Sequence, residues 1–385
     1  MLAEPGGFTP PPYPYDRLNR LKVHGEAMPG GLINLSIGAP SDPAPKFFRQ
    51  VLAEPGPEIG YPPSLGTPEF RGAANQWLAR RFNIEVPAGH TAACVGSKEF
   101  VASVPHLLKL RSPSKDTVLY PAVSYPTYAM GAQLHACRAV PVPVDDQWRL
   151  RLDQIGRADI DRALCLWVNS PGNPAGGLDD LGAASRWGRA HQVPVISDEC
   201  YIEFTWSDPY GVDQTLPTPG RSILEHGTDG VIAVHSMSKR SNLAGARIGF
   251  YAGDGDLVQY LANTRKHQGL LIPGPVQAAA VAIFSDDAHV DQQRQRYRER
   301  LLFFAEALRR TGLTVDMPGG GFYLWIAAPN GDAWALAELL AKQAGIVVSP
   351  GEFYGSAGAG HIRVAVVAPM DRLELAASRL DGFGI

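Results

Sequence analysis

From about residue 66 onward, stretches with apolar residues at helical spacing alternate with short runs that are apolar throughout. Residues 68–82 and 98–110 show the helical pattern. The predicted strands are residues 117–120, 138–142, 163–168, 194–197, 230–234 and 247–252. Several of these runs lack alternation, so we expect strands buried on both faces, as in a parallel sheet covered by helices. The pattern predicts an α/β fold with one large domain over residues 46–275.

A second domain is predicted after residue 275. A charged helix over residues 287–311 leads to a Gly-rich turn at residues 318–321. Predicted strands at residues 322–326, 346–349 and 362–367 and a helix at residues 333–344 follow. We expect a smaller α+β domain over residues 276–385.

The first forty or so residues are rich in proline and glycine, which favours an extended arm over a packed element. Such an arm can lie on a neighbouring subunit. A short strand over residues 33–40 then ends in a turn at Gly38, whose backbone N–H is approachable. We assign residues 1–45 to this arm and to part of the small domain.

Composition narrows the function classes. The chain has 385 residues and a net charge of -3, and its Lys and Arg residues are scattered, so we expect no binding to nucleic acid or anionic lipid. Its four cysteines, Cys94, Cys137, Cys165 and Cys200, show no C-x-x-C spacing, and no metal site or disulfide framework is predicted. Residues 1–7 do not resemble a signal peptide, and no run is long enough to cross a membrane. We therefore expect a cytoplasmic protein.

The candidate chemistry centres on residues 236–250. Lys239 follows a Ser-x-Ser turn that closes the apolar run 231–234. A lysine held at a strand end can form a Schiff base with an aldehyde cofactor, and Ser236 and Arg247 can hold a phosphate. Pyridoxal phosphate needs both features. Taken alone, a lysine in a polar turn is an ordinary solvated residue.

Three other segments meet further requirements of this cofactor. Gly96-Ser97-Lys98 opens a helix. The backbone N–H groups there can bind a phosphate, or the glycine and serine can simply cap the helix. Asn173 lies in a turn at the carboxyl edge of the sheet, where it can bind a cofactor oxygen or only shape the turn. Asp198 ends a buried strand, where it can keep a pyridine nitrogen protonated or cap a helix. Tyr201 can bind the ring's phenolate oxygen.

In order and spacing these segments resemble the class I and II aminotransferases, which are fold-type-I pyridoxal phosphate enzymes. The motifs are Gly-Ser-x-Glu (96–99), Asn-Pro-x-Gly (173–176), Asp-Glu-x-Tyr (198–201), Ser-x-Ser-Lys (236–239), Arg247 and Arg363. The resemblance covers nearly the whole chain. It implies a large domain with a mostly parallel seven-stranded sheet between helices, a smaller α+β domain, pyridoxal 5′-phosphate as cofactor, and a homodimer with shared active sites.

The resemblance also implies roles for the matching residues at the cofactor. Lys239, Asp198 and Tyr201 would be catalytic: the lysine binds the cofactor and moves the substrate's α-proton, and the other two act at the ring nitrogen and the phenolate oxygen. Asn173 would also bind the phenolate oxygen, and Tyr125 would stack on the ring unless it is a core tyrosine.

The phosphate and the substrate are assigned in the same way. The resemblance implies that the phosphate is held by Ser97, Lys98, Ser236, Arg247 and, from the neighbouring subunit, Tyr61. Gly38, Asn173 and Arg363 would bind the substrate, with the arginine gripping the α-carboxylate. The partners expected are therefore an amino acid and a 2-oxo acid.

A narrower resemblance concerns the substrate. Residues 125–128, 238–245, 270–279 and 363–369 resemble the actinobacterial N-succinyldiaminopimelate aminotransferases of lysine biosynthesis. This implies transfer between N-succinyl-LL-2,6-diaminopimelate and 2-oxoglutarate, with glutamate as donor. Ala246 departs from the aromatic residue that we expect before the phosphate arginine, and it should leave room near the phosphate.

Alternatives remain open from the sequence. In aspartate aminotransferases an arginine from the second subunit holds the distal carboxylate, and the matching position here is Gln268 or, with one shifted gap, Arg265. Other aminotransferases of the aspartate or aromatic type, and a pyridoxal phosphate β-lyase, share the same cofactor residues. A regulator that only senses the cofactor is disfavoured, because the fold uses the whole chain and leaves no DNA-binding module.

Overall fold

The computed structural model describes residues 8–207, 220–382 and 384. The predicted arm therefore lies partly outside the described residues, as does the segment 1–7 considered for targeting. In the described part the strands are β1 (Ile33–Asn34), β2 (Thr91–Cys94), β3 (Thr117–Pro121), β4 (Arg138–Val142), β5 (Ala163–Asn169), β6 (Val195–Asp198), β7 (Val231–Ser236), β8 (Gly249–Gly253), β9 (Tyr323–Ala327), β10 (Ile346–Val347), β11 (Ser349–Pro350) and β12 (His361–Ala365). The α-helices are α1 (Asn19–Glu26), α2 (Lys46–Leu52), α3 (Pro68–Phe82), α4 (Ser97–Arg111), α5 (Thr127–Leu134), α6 (Arg157–Asp161), α7 (Leu181–His191), α8 (Met237–Arg240), α9 (Gly255–His267), α10 (Gly274–Ser285), α11 (Ala288–Arg309), α12 (Ala333–Ala344) and α13 (Met370–Leu380).

The large sheet has the order β2-β8-β7-β6-β5-β3-β4. Its pairs are parallel from β7 to β4, whereas β8 is antiparallel to both β7 and β2. This confirms the prediction of a mostly parallel seven-stranded sheet. Strand β2 was not predicted from the sequence, because Thr-Ala-Ala-Cys carries few of the β-branched and aromatic residues that mark strands.

Helices cover both faces of this sheet. Successive residues of a strand point to opposite faces, and accordingly Val231 and Ile232 of β7 belong to different apolar clusters. The cluster around Val231 includes residues of α3, α7 and α10, and the cluster around Ile232 includes residues of α4, α5 and α9. The central strands β5, β6 and β7 are buried along their whole length, as their continuous apolar runs predict.

The smaller unit is built on the antiparallel sheet β11-β12-β9, with a core of its own that includes residues of α11, α12 and α13. Strand β1 joins this unit by pairing with β10, Ile33 opposite Ile346. The predicted strand 33–40 is therefore short, although Leu35 N–H still donates to Val347 O at 2.8 Å.

The expectation of an extended N-terminal arm was wrong for residues 14–26. They form a 3-10 helix, Pro14–Leu18, followed by α1. Leu18 and Leu21 lie on one face and are fully buried in the core of the small unit. Both leucines lie in the proline-free stretch between Pro14 and Pro29, and their spacing of three residues is typical of a helix. For this stretch the spacing of apolar residues predicts the structure better than the proline and glycine content does.

No helix in the described part of the chain combines the length and the apolar character needed to cross a membrane. A search of the same residues for three or more His, Cys, Asp or Glu side chains placed to hold a metal ion found none.

Candidate active site

Strand register brings the predicted residues to one edge of the large sheet. Asn169, the last residue of β5, lies opposite Asp198, the last residue of β6. Gly249 at the start of β8 is paired both with Ser236 at the end of β7 and with Cys94 at the end of β2. Four strand ends therefore meet at the carboxyl edge, which is where open α/β sheets bind ligands.

A cavity of about 230 Å³ lies at this edge, between the large sheet and the small unit. Its described lining residues are Tyr13, Tyr15, Ile37, Gly38, Ala39, Ser97, Lys98, Tyr125, Asn169, Asn173, Asp198, Cys200, Tyr201, Lys239, Arg247, Tyr323 and Arg363. Most of the residues singled out from the sequence are in this set; Ser236 and Tyr61 are not.

Lys239 lies in α8, a single helical turn directly after β7. The Ser236 hydroxyl caps this turn by accepting a hydrogen bond from the Ser238 N–H at 3.1 Å. The Lys239 amine donates to the carbonyl of Gly38. Burial lowers the pKa of Lys239 to about 8, so roughly a tenth of the amine is neutral at pH 7 and can act as a nucleophile or a base. The predicted contact of Ser236 with a phosphate stays a prediction.

Asp198 is buried and bound by neutral donors. Its carboxylate accepts a hydrogen bond from the Tyr128 hydroxyl at 2.9 Å and from the Cys200 N–H at 3.3 Å. Burial raises the pKa of Asp198, and the hydrogen bonds from Cys200 and Tyr128 and the Lys239 amine offset this only in part. A cation in the cavity would favour the ionised carboxylate. No role was predicted for Tyr128 from the sequence, because its partner Asp198 is 70 residues away along the chain.

The loop after β5 connects Asp198 to the arginine predicted to bind substrate. Asn169 Nδ2 donates to the Asp198 carbonyl at 2.8 Å, and its Oδ1 accepts the Asn173 N–H at 2.8 Å. The Asn173 Oδ1 in turn accepts from Arg363 Nη1 at 2.8 Å. The Asn173 amide group is thereby oriented with its Nδ2 available as a donor. The peptide bonds before Pro171 and Pro174 are cis.

Arg363 is buried, and its guanidinium contacts only neutral groups in the described chain. Besides Asn173 it donates to the Ser36 carbonyl at 2.5 Å, and its Nε has no partner among the described residues. The rings of Tyr323 and Tyr354 flank it, with centroids 4.3 and 4.6 Å from the guanidinium carbon. A buried arginine without an acidic partner is suited to an anionic ligand.

The end of the cavity at α4 forms a cradle for an anion. Gly96 has a φ of 75°, and a Cβ there would overlap the guanidinium of Arg247. Arg247 itself adopts a left-handed conformation, φ 55°, from which it donates to the Ala244 and Val95 carbonyls. The N-terminal N–H groups of α4, at Ser97 and Lys98, lie beside it in the cavity lining.

Glu99 fixes the first turn of α4. Its carboxylate accepts two hydrogen bonds from Arg265, at 2.7 and 2.6 Å, and one from the Val95 N–H at 3.3 Å. The Arg265 side chain is 1% exposed. The burial of the Arg265 guanidinium and its bonds to Glu99 and Ser103 argue against the alternative in which Arg265 reaches a partner's substrate. Gln268, just after α9, remains the matching position.

Two other residues lie apart from the cavity. Tyr61 is 98% exposed, in a loop that also carries Ile59, which is 83% exposed. Ala246 lies in a 3-10 turn, packs against the core of the large unit and is not among the described residues that line the cavity. The extra room expected beside the phosphate is therefore not found at Ala246.

Comparisons with known proteins agree on one family. The family model described as "Aminotransferase class I and II" matches residues 31–380. A 4-dedimethylamino-4-oxo-anhydrotetracycline transaminase of Streptomyces rimosus is 38% identical over 96% of this chain and 99% of its own. An LL-diaminopimelate aminotransferase of Aquifex aeolicus is 32% identical over 96% of both chains. The solved structure of a probable N-succinyldiaminopimelate aminotransferase of Thermus thermophilus superposes with a TM-score of 0.83 at 28% identity, covering 96% of this chain and 100% of that one.

Proposed function

Because the chain belongs to the class I and II aminotransferase family, whose members use pyridoxal phosphate, we propose that it transfers an amino group between an amino acid and a 2-oxo acid in this cavity. The observation that carries the proposal is the joint placement of the Lys239 amine, the buried Asp198 carboxylate and the Arg363 guanidinium in one cavity lining. An amine nucleophile, an acceptor for a cationic ring and a carboxylate receptor are the groups that this reaction requires.

The residues present fit the cofactor. Asp198 is a buried carboxylate with neutral partners, suited to a pyridinium nitrogen. The cradle at Gly96 and Arg247, where a Cβ would intrude, is suited to a phosphate. Lys239 lines the same cavity as these groups, with an amine whose pKa burial lowers to about 8. When bound, pyridoxal phosphate supplies an aldehyde that condenses with amines and a ring that accepts electrons.

Lys239 would hold and move the proton. Once its amine is free it could accept the proton from the substrate's α-carbon and deliver it to the carbon of the cofactor's aldehyde group, and a pKa of about 8 keeps both protonation states accessible. The Gly38 carbonyl, which accepts from the amine, holds it at the cavity wall. Asp198 would stay ionised against the ring nitrogen, with Tyr128 fixing one carboxylate oxygen at 2.9 Å.

Arg363 would orient the substrate. Its bonds to Asn173 and Ser36 and the two flanking tyrosine rings fix the plane of the guanidinium, which can then form two parallel bonds to an α-carboxylate. Because Asn173 contacts Arg363 directly, the residue proposed for the phenolate oxygen and the residue proposed for the carboxylate are positioned together.

For the substrate, we propose N-succinyl-LL-2,6-diaminopimelate with 2-oxoglutarate. Support comes from the Thermus thermophilus protein described as a probable N-succinyldiaminopimelate aminotransferase and from the LL-diaminopimelate aminotransferase relative. The buried state of Arg265 also argues against an enzyme that holds a distal carboxylate through that arginine.

A second candidate is a bulky aromatic ketone. It is favoured by the cavity mouth, where Tyr13 and Tyr15 from the N-terminal segment join Ile37 in the lining. Aromatic side chains of this kind can stack on a flat ring system. The tetracycline-type transaminase of Streptomyces rimosus, 38% identical, points in the same direction.

We further propose that the active enzyme is a dimer in which Tyr61 reaches the partner's phosphate site. The 98% exposure of Tyr61 and the neighbouring exposed Ile59 in a single chain support this. Mixing a Tyr61→Phe variant with a Lys239→Ala variant tests it: hybrid dimers should contain one site with both residues intact and regain activity. Unchanged inactivity of the mixture would contradict the shared site.

The function is tested by following the absorbance of the bound cofactor as it takes up an amino group. Glutamate, aspartate, aromatic amino acids and N-succinyl-LL-2,6-diaminopimelate are added separately to the purified protein. We expect conversion with glutamate and with the succinylated compound, and the reverse conversion with 2-oxoglutarate. Conversion by no amino acid would refute the aminotransferase proposal, whereas failure of the succinylated compound alone would refute only the substrate.

A further inference from the structure

Two buried tyrosines from different units of the fold meet at their hydroxyls. Tyr201 follows β6 of the large sheet, and Tyr323 is the first residue of β9 in the small unit. Their hydroxyl oxygens are 2.8 Å apart, and both residues line the cavity. This hydrogen bond therefore crosses between the two units at the wall of the site.

The number of hydrogens on the two hydroxyls limits which of them can be the donor in this hydrogen bond. Burial raises the pKa of Tyr201 well above its ordinary value and that of Tyr323 to about 12, so both side chains are neutral at working pH. Each hydroxyl then has one hydrogen, and only one of the two hydrogens can lie between the oxygens. If Tyr201 gives its hydrogen to a ligand oxygen in the cavity, the hydrogen between the tyrosines must come from Tyr323.

We infer that Tyr323 is a positioning residue: its hydroxyl donates to Tyr201 and thereby directs the Tyr201 hydrogen towards the phenolate oxygen of the bound cofactor. This inference rests on the proposed function. Donation to Tyr201 also makes that hydroxyl a stronger donor, since consecutive hydrogen bonds polarise one another. A stronger bond stabilises the anionic oxygen and makes the deprotonated state of the cofactor more favourable.

The surroundings of Tyr323 hold its hydroxyl in place. The Arg363 guanidinium lies 4.3 Å from the ring centroid. A Cβ at Gly38 would overlap the hydroxyl, so the glycine provides the room it occupies. The Tyr201 and Tyr323 rings are tilted by 71° to each other with centroids 5.6 Å apart. Phenylalanine at position 323 would keep the ring contacts and lose only the hydroxyl.

The test is a pH titration of the cofactor's absorbance in the holoenzyme, for the wild type and for Tyr323→Phe. Tyr354→Phe is the matched control, because the Tyr354 ring also flanks Arg363 but its hydroxyl bonds to Tyr15, at 2.9 Å, and not to Tyr201. We expect Tyr323→Phe to raise the cofactor's apparent pKa by up to roughly half a unit, less than the loss of one whole hydrogen bond, because the Tyr201 donor remains. The control should leave this pKa unchanged.

A double variant tests that Tyr323 acts through Tyr201. Tyr201→Phe should raise the cofactor's pKa by more than Tyr323→Phe does, and Tyr201→Phe/Tyr323→Phe should match Tyr201→Phe alone. Additive shifts, or a Tyr323→Phe enzyme that titrates like the wild type, would overturn the inference. A wild-type protein that neither holds the cofactor nor converts amino acids would instead overturn the proposed function.

Discussion

Replacement of Arg363 by lysine should separate carboxylate binding from every other step. Lysine keeps the positive charge but loses the planar fork that the Asn173 and Ser36 bonds, at 2.8 and 2.5 Å, hold in a fixed plane. A single ammonium cannot form two parallel bonds to a carboxylate. We therefore expect one charge-assisted bond to the substrate to be lost in Arg363→Lys.

The magnitude follows from that bond. A hydrogen bond to a charged group contributes about 1.5 to 3 kcal/mol, which corresponds to a loss of roughly 10-fold to 150-fold in kcat/KM. The loss should be somewhat larger if the Asn173 oxygen, which is buried, is left without its donor. The flanking rings of Tyr323 and Tyr354 should still accommodate the cation through their faces.

The assay compares L-phenylalanine with phenethylamine, which differ only in the carboxylate. Rates of cofactor conversion are measured for the wild type and for Arg363→Lys at saturating cofactor, with thermal unfolding as a check on folding. The variant should lose rate with the amino acid and change little with the amine. An equal loss with both compounds would mean that Arg363 acts on the structure of the site, and no loss with either would mean that another residue binds the carboxylate.

Three further predictions follow from buried groups. Lys239→Ala should retain only non-covalently bound cofactor, and borohydride reduction followed by peptide mapping should label Lys239 in the wild type; a label on another lysine would contradict the assignment. Glu99→Gln should lower the free energy of unfolding, measured in urea, by about 3 to 5 kcal/mol, because it leaves Arg265 buried without an ion-pair partner. The control Glu338→Gln, which loses only exposed ion pairs, should lower it by less than about 1 kcal/mol. Burial raises the pKa of Glu199 from 4.5 to about 8, so between these values the folded state binds a proton that the unfolded state has released, and stability falls as pH rises. Glu199→Gln should remove this fall, and a melting temperature that decreases as in the wild type from pH 5 to pH 8 would contradict it.

The sheet and its ligand edge could be predicted from the sequence because both depend on local patterns. Continuous apolar runs mark β5, β6 and β7, and the polar residues at their ends, such as Asn169 and Asp198, lie at one edge whenever the strands are parallel and in register. The same reasoning could not locate β2, whose small residues give no strand signal until β8 pairs with it.

The contacts around Arg363 could not be predicted in this way. Tyr323 and Tyr354 approach the guanidinium from β9 and from the 3-10 helix Gly351–Tyr354, and Tyr15 approaches from the N-terminal segment. These segments are far apart in the sequence, and their meeting depends on how the small unit packs against the large sheet. A tyrosine in the sequence carries no sign of the partner of its hydroxyl, so the Tyr201–Tyr323 bond is visible only in the fold.

The segment after Lys239 supported the resemblance to N-succinyldiaminopimelate aminotransferases, yet its side chains face away from the cavity. Arg240 is buried, with its guanidinium carbon 5.2 Å from the ring centroid of Trp77 and 3.6 Å between its Nε and Glu203. Ser241 Oγ and His289 Nε2 of α11 are 2.8 Å apart. Similarity in this segment therefore reflects how the lysine turn is anchored, and it carries little information about the substrate.

Helix α11 also anchors the loop whose carbonyl accepts the hydrogen bond from the Lys239 amine. Gln293 of α11 accepts a hydrogen bond from Asn242 at 3.1 Å and donates to Asp42 at 2.7 Å. Asp42 also accepts two bonds from Arg300 of α11, and it follows the loop whose Gly38 carbonyl accepts from the Lys239 amine. Both the backbone that carries the lysine and the loop that receives its amine are thus tied to α11. Substitutions at Asn242 or Gln293 should therefore act on the position of the amine and not on the choice of substrate.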